Sequence, residues 1–203
     1  MILKKVLKSN FSFEGKKILI VDDQKTFQVM LRGMLKTMKA ELVSMAHTGE
    51  AAISMCQSED YDIAFIDYNL GEGRNGRQLF EELKERNILP PSSLAILVTG
   101  EALSTMVVGA LEVMPDDYIV KPFSQNLLLQ RVSKAWNKKQ IFVPFFDYMD
   151  HGDYEDALTT INKIISEHPR HKSTSFKYKA EVLHKLERYQ ELEVFVDVFL
   201  EKK

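Results

Sequence analysis

Residues 17–23 read KILIVDD, a run of apolar residues that stops abruptly on two carboxylates. Three later runs stop in the same way: DIAFI before Asp67, LAILV before Thr99 and DYIV before Lys121. A strand buried on both faces needs no polar alternation, so near-continuous apolar runs fit a parallel sheet covered by helices on each side. In such a sheet, ligands collect at the carboxyl ends of the strands. Asp22, Asp23, Asp67, Thr99 and Lys121 are therefore expected to converge on one edge. Together they offer a nucleophile, a metal site and two groups able to hold a phosphoryl.

Working outward, strands are expected near 17–22, 41–46, 62–67, 94–99 and 117–120. Between them the apolar residues take helical spacing. Phe27, Met30, Leu31, Met34 and Leu35 form one such set, then Ala51, Ala52 and Met55, then Leu79, Phe80 and Leu83. Leu103, Met106, Val107, Ala110 and Leu111 follow, and last Leu127, Leu128, Val132 and Ala135. Alternating strands and helices predict an α/β fold with a five-stranded, doubly wound parallel sheet. Residues 1–16 read as an N-terminal arm. Its Phe11 and Phe13 suit either a short extra strand or a docking arm, with disorder the other reading.

After about residue 139 no strand pattern remains, and 139–203 reads as an all-α helical domain. Two stretches there share a Tyr, then charged residues, then an apolar helix. Tyr154 and Tyr189 stand about 35 residues apart, close to the ~34-residue period of tetratricopeptide (TPR) repeats. Gly152, Ala157, Ile161, Ile164 and Pro169 take matching offsets in the first repeat; Phe176, Ala180, Leu183, Leu192, Val196 and Phe199 do so in the second. A generic helical bundle is the alternative. Pro144 predicts a kink or a late start in the helix near 139–150. The domain reads as truncated, since about three repeats make a stable solenoid.

The bulk properties exclude several classes. Of 203 residues, 45% are hydrophobic and 28% charged, with a formal net charge of −2. That balance argues against nucleic acid. No apolar stretch reaches membrane-span length, and the N-terminus does not read as a signal peptide. The single cysteine, Cys56, allows no intrachain disulfide and reads as a small buried hydrophobe. These features place the protein in the cytoplasm.

Asp22 and Asp23 alone would be an ordinary strand-end turn, and Asp67 alone a helix cap. Three clustered carboxylates repel one another, and a hard divalent ion with oxygen ligands relieves the repulsion. Lys121 adds a compact positive charge and Thr99 a hydroxyl donor. Gly71, Gly73 and Gly76 spell GxGxxG, but the next strand ends on Thr99 and Gly100 with no carboxylate for a ribose. Glycines for tight turns beside Asp67 are the simpler reading. The five histidines show no metal-ligand spacing, and Trp136 reads as an inter-domain packing residue.

VDD at 21–23, FIDYNL at 65–70, LVTGEA at 97–102 and DDYIVKPF at 116–123 resemble the CheY-like receiver domain of two-component response regulators. The resemblance covers 17–138 and implies a flavodoxin-like receiver fold. It implies that Asp67 is the phospho-acceptor. Asp23, Asp67 and the backbone carbonyl of Asn69 would ligate Mg²⁺, with Mn²⁺ as a substitute and Asp22 acting mainly through water. Thr99 and Lys121 would hold the phosphoryl, Tyr118 would reorient on activation, and Lys121–Pro122 would be a cis peptide. Asn69 and Glu101 match positions that tune dephosphorylation, giving a short-lived phosphorylated state. The loop NLGEGRNG is one residue longer than usual and lacks the common proline.

By this resemblance the chain is no conventional enzyme, yet it catalyses its own phosphorylation from a sensor histidine kinase and its own dephosphorylation. The change spreads to the face built from 103–111, 117–120 and 127–135. From there it reaches the TPR-like domain, whose ligand is another protein, and a homodimer is compatible. The alternative is a phosphorylation-independent scaffold, a pseudo-receiver that binds a kinase and a second protein.

Overall fold

The computed structural model describes residues 11–71, 73–100 and 115–200, with side chains through 197. Five strands form one parallel sheet: β1 (Lys17–Val21), β2 (Leu42–Ala46), β3 (Ile63–Asp67), β4 (Leu94–Thr99) and β5 (Asp117–Val120). Their order across the sheet is β2-β1-β3-β4-β5. The order in which strands are added therefore reverses between β1 and β3, the place where open sheets of this kind form a ligand crevice.

The helices are α1 (Lys25–Thr37), α2 (Gly49–Ser58), α3 (Gly76–Glu85), α4 (Gln125–His151), α5 (Tyr154–Glu167), α6 (Lys172–Lys185) and α7 (Tyr189–Leu200). The expected helical segment at 103–111 lies outside the described residues. Side chains alternate along each strand, so the two faces of the sheet carry separate cores. On one face Ile18, Ile20, Phe65, Ile96 and Ile119 pack with Leu31 and Leu35 of α1 and with Leu128 and Val132 of α4. On the other, Leu19, Val21, Ile66 and Leu97 pack with Ala52 and Cys56 of α2 and Leu79, Phe80 and Leu83 of α3. Burial pushes the Cys56 thiol up to about 11, so it stays a neutral packing group.

Residues 11–16 form no strand. Phe11 and Phe13 are instead buried in the first core, 4.7 Å apart in a T-shaped pair. The Trp136 ring lies 5.5 Å from Phe11 and beneath the Lys16 ammonium. Trp136 therefore packs within the sheet unit, which corrects the inter-domain role expected for it. The N-terminal aromatics provide the partners that the sequence pattern did not assign.

The chain divides into two compact units, Met1–Asn137 and Lys138–Lys203. In the second, Phe142, Phe145, Ala157, Leu158, Ile161, Val182 and Leu183 form a core, and Tyr178 packs on Phe142, Phe145 and Phe146. A late start at 139–150 is not what the chain adopts, because α4 runs unbroken through Pro144. A proline inside a helix costs about 3 kcal/mol. Pro144 is exposed, so the carbonyl it leaves unpaired can be reached by water, and burial of Phe142, Phe145 and Phe146 around it offsets the cost.

Candidate functional site

Asp22 follows β1, Asp67 closes β3, Thr99 closes β4 and Lys121 follows β5. Strand pairing fixes their neighbourhood. Asp67 lies beside Val98 and Thr99 beside Val120. Beyond the strands, the Asp22 amide donates to the Ala46 carbonyl at 3.1 Å and the Lys121 amide to the Thr99 carbonyl at 2.7 Å. Four segments distant in sequence are thus tied together by backbone bonds at one edge.

Carboxylate oxygens of Asp22, Asp23 and Asp67 lie within 4.8 Å of one another. Asp22 and Asp67 are buried and Asp23 is exposed, so the cluster opens to solvent on one side. The Lys121 ammonium donates to Oδ2 of Asp22 at 2.7 Å and stands 3.0 Å from Oδ2 of Asp67. Burial lifts the Asp67 carboxyl above its ordinary range. Lys121 pulls it down, while Asp22 and Asp23 push it further up. Among the described residues, one ammonium for three carboxylates leaves a net negative cluster of oxygen donors. That donor set suits a hard divalent cation such as Mg²⁺.

The loop after Asp67 is built by glycine geometry. Gly71 and Gly73 have positive φ, of 77° and 101°. Gly76 is different: a Cβ there would come within 2.8 Å of the Asp67 carbonyl carbon and nearer still to its oxygen. Its own amide donates to the Tyr68 carbonyl at 2.8 Å. Asn75 and Gln78 form a reciprocal capping box that starts α3 directly behind Asp67. Arg74 pairs with Glu50 of α2 and Glu82 of α3, pinning the longer loop between two helices.

Of the other expected residues, Thr99 is buried, Asn69 is exposed at the loop, and Tyr118 is half-buried. The Lys121–Pro122 peptide is cis. Glu101 lies outside the described residues. Two site neighbours escaped sequence reasoning. The Phe27 ring centroid lies 3.8 Å from the Lys121 ammonium. The Gln28 side-chain amide, fully buried, donates to the carbonyls of Asp22 at 2.7 Å and Ala46 at 2.6 Å. A signal for Gln28 existed, because it sits on the apolar stripe with Leu31 and Leu35, where a polar residue needs a partner.

Comparison with known proteins agrees with this geometry. The response regulator receiver domain family matches residues 18–133, more than half of the chain. The chain is 27% identical over 122 residues to the chemotaxis protein CheY of Pseudomonas aeruginosa, covering 60% of this chain and 97% of that protein. It is similar to the structure of a CheY-like receiver domain protein from Methanospirillum hungatei JF-1, with 28% identity and a TM-score of 0.53. That similarity covers 62% of this chain and 96% of the other. The N-terminal domain of a response regulator/sensory box/GGDEF three-domain protein from Carboxydothermus hydrogenoformans gives 28% identity and a TM-score of 0.55, covering 63% and 99%. With its acidic pocket at the carboxyl edge of a β2-β1-β3-β4-β5 sheet, the chain belongs to the response regulator receiver domain family of two-component systems.

Proposed function

We propose that the receiver accepts a phosphoryl group on Asp67 and that the state of Asp67 governs protein–protein interactions of the helical unit. Receiver domains interact with sensor kinases in phosphorelay and generally bind Mg²⁺ at an acidic pocket. The observation that carries the reading is the Lys121 ammonium, held 3.0 Å from the Asp67 carboxylate and 2.7 Å from that of Asp22.

An Asp67 oxygen attacks the phosphorus of a kinase phosphohistidine. The P–N bond breaks with its electron pair passing to the imidazole, and a P–O bond to Asp67 forms. Asp23, Asp67 and the Asn69 backbone carbonyl would hold Mg²⁺, or Mn²⁺ in its place, with Asp22 acting through water. When bound, the ion neutralises the carboxylates and the phosphoryl oxygens. Lys121 and Thr99 hold the transferred group, and Tyr118 turns inward as Thr99 follows the phosphoryl. Asn69 and Glu101 orient the water that later hydrolyses it, so the phosphorylated state is short-lived. A lifetime of many hours would sink that part of the reading.

The output is assigned to the α-helices after residue 139, read as TPR-like repeats that bind a protein segment. Successive packing of α5 on α6 and α6 on α7, with Ala157 buried in their core, supports this reading. Among the described residues no helix is long and apolar enough to cross a membrane.

The test is intact mass after incubation with acetyl phosphate and Mg²⁺, beside Asp67→Ala. One added phosphoryl, lost in the variant and without Mg²⁺, is expected. No adduct at trapped early times would overturn the reading and favour a phosphorylation-independent scaffold.

A further inference from the structure

The Lys121 ammonium has three N–H donors. Two are directed at buried carboxylates, Asp22 at 2.7 Å and Asp67 at 3.0 Å. The ring of Phe27 lies against the same ammonium, with its centroid 3.8 Å from Nζ. The Lys121 side chain is 16% exposed, so most of its surface is shielded from water. A cation over an aromatic face gains more when it is desolvated. Phe27 is itself held in place. It sits in the first turn of α1, packs against the first core, and meets Phe123 in a T-shaped pair at 5.9 Å. Phe123 comes two residues after Lys121, so the segment carrying the ammonium also braces the ring beneath it.

We propose that Phe27 is a positioning residue for phosphoryl transfer, holding the Lys121 ammonium over the acidic pocket through its ring face. The proposal rests on the reading of Asp67 as phospho-acceptor. On that reading, Lys121 must exchange its contact with the Asp67 carboxylate for one with the arriving phosphoryl. A third carboxylate under Lys121 would compete for the N–H donors. A ring face attracts the charge without taking up a directional lone-pair contact, so Lys121 keeps one fixed partner while it changes the others. Ring electron density, rather than ring volume alone, is then the property that matters.

That distinction gives the test. Phe27 alone is replaced by mono-, di- and trifluorophenylalanine in the full chain, which drains the ring face while nearly keeping its shape. Phosphorylation from acetyl phosphate is timed at fixed Mg²⁺, with the melting temperature as a control on folding. The rate is expected to fall stepwise, by about threefold to tenfold across the series, and Phe27→Leu to fall at least as far. The Lys121 ε-methylene protons, shifted upfield by the ring in the wild-type protein, are expected to return toward ordinary values in Phe27→Leu. A flat rate series in a protein that accepts phosphoryl overturns the inference and leaves the function reading standing. A wild-type protein that accepts none overturns the function reading. The Lys121 signals then decide the contact by themselves, and ε-protons unmoved by Phe27→Leu overturn it.

Discussion

Nζ of Lys121 stands 2.7 Å from Oδ2 of Asp22, joining residues 99 positions apart in a pocket where Asp22 is almost wholly buried. Such a pair costs desolvation to form and more to break, because the surviving charge is left buried. Lys121→Met leaves Asp22 and Asp67 facing each other without their cation. A loss of about 3–5 kcal/mol is expected in Mg²⁺-free denaturant unfolding. The same variant should recover part of that loss with millimolar Mg²⁺, and more than wild type gains, because the carboxylates no longer have an internal counter-ion. Equal Mg²⁺ increments in the two proteins would show that Lys121 does not neutralise Asp22 and Asp67.

Gly76 is required by space rather than by backbone angle. An added Cβ would meet the Asp67 carbonyl carbon at 2.8 Å, its oxygen at closer range, and Ile66 Cγ2 at 3.1 Å. The first two obstacles are backbone of a central strand, which cannot move aside cheaply. Gly76→Ala is expected to cost about 3 kcal/mol or more, as overpacking against backbone does, and to displace the Asp67 amide resonance. Gly73→Ala meets no atom of the described residues within 4 Å and carries the penalty of a positive φ, about 1–2 kcal/mol. Thermal unfolding of both variants checks the order. A milder Gly76→Ala would mean that α3 slides away from β3.

The carboxyl edge was legible in the sequence because Asp22, Asp67, Thr99 and Lys121 each end an apolar run, and a buried parallel strand tolerates polar residues only there. Membership of β1, β3, β4 and β5 in the sheet follows from the same runs. The pairing of Phe27 with Lys121 was not legible. It depends on how α1 is rotated and on where β5 delivers its last residue, and Phe27 satisfies the helical apolar period equally well as a plain core residue. Pro144 is a different case. The local rule against proline within a helix allows a kink or a late start, and the late start is not adopted because buried Phe142, Phe145 and Phe146 hold the helix across it. Sequence alone gives Trp136 an inter-domain role because Phe11, which packs on it, lies in a segment whose pattern is too short to read.

Gln28 links α1 to the turn that carries the acidic pair. Its amide nitrogen serves two carbonyls, while its Oε1 is buried with no hydrogen-bond partner among the described residues. Gln28→Leu therefore loses two hydrogen bonds but also removes an unpaired polar atom, and the Ala46 carbonyl keeps the Asp22 amide. The two effects partly cancel, for an expected net loss of about 1–2 kcal/mol. Gln28→Glu buries a carboxylate against two carbonyl oxygens and should cost about 3 kcal/mol or more at neutral pH. Urea unfolding distinguishes them. Equal, mild losses in both would show that the position opens to water.

The second unit carries two histidines with opposite pH signatures. His171 is lowered from 6.5, by burial first and then by the charges of Lys138, His168 and Arg170. Its contribution to stability is present above 6.5 and is lost as pH falls through its folded value. His151 is raised from 6.5. Its Nδ1–H donates to the Asp147 carbonyl at 2.8 Å, and the Asp147 carboxylate adds to the effect. Its contribution is present below 6.5 and is lost as pH rises through its folded value. His151 is fully exposed and solvent screens its pairing, so the acid-side balance should follow His171. NMR titration of the two Cε1 protons is expected to place the midpoints on opposite sides of 6.5. His171→Asn should flatten the loss of unit stability below that pH, and His151→Asn should steepen it slightly. Coincident midpoints would remove the basis for either change.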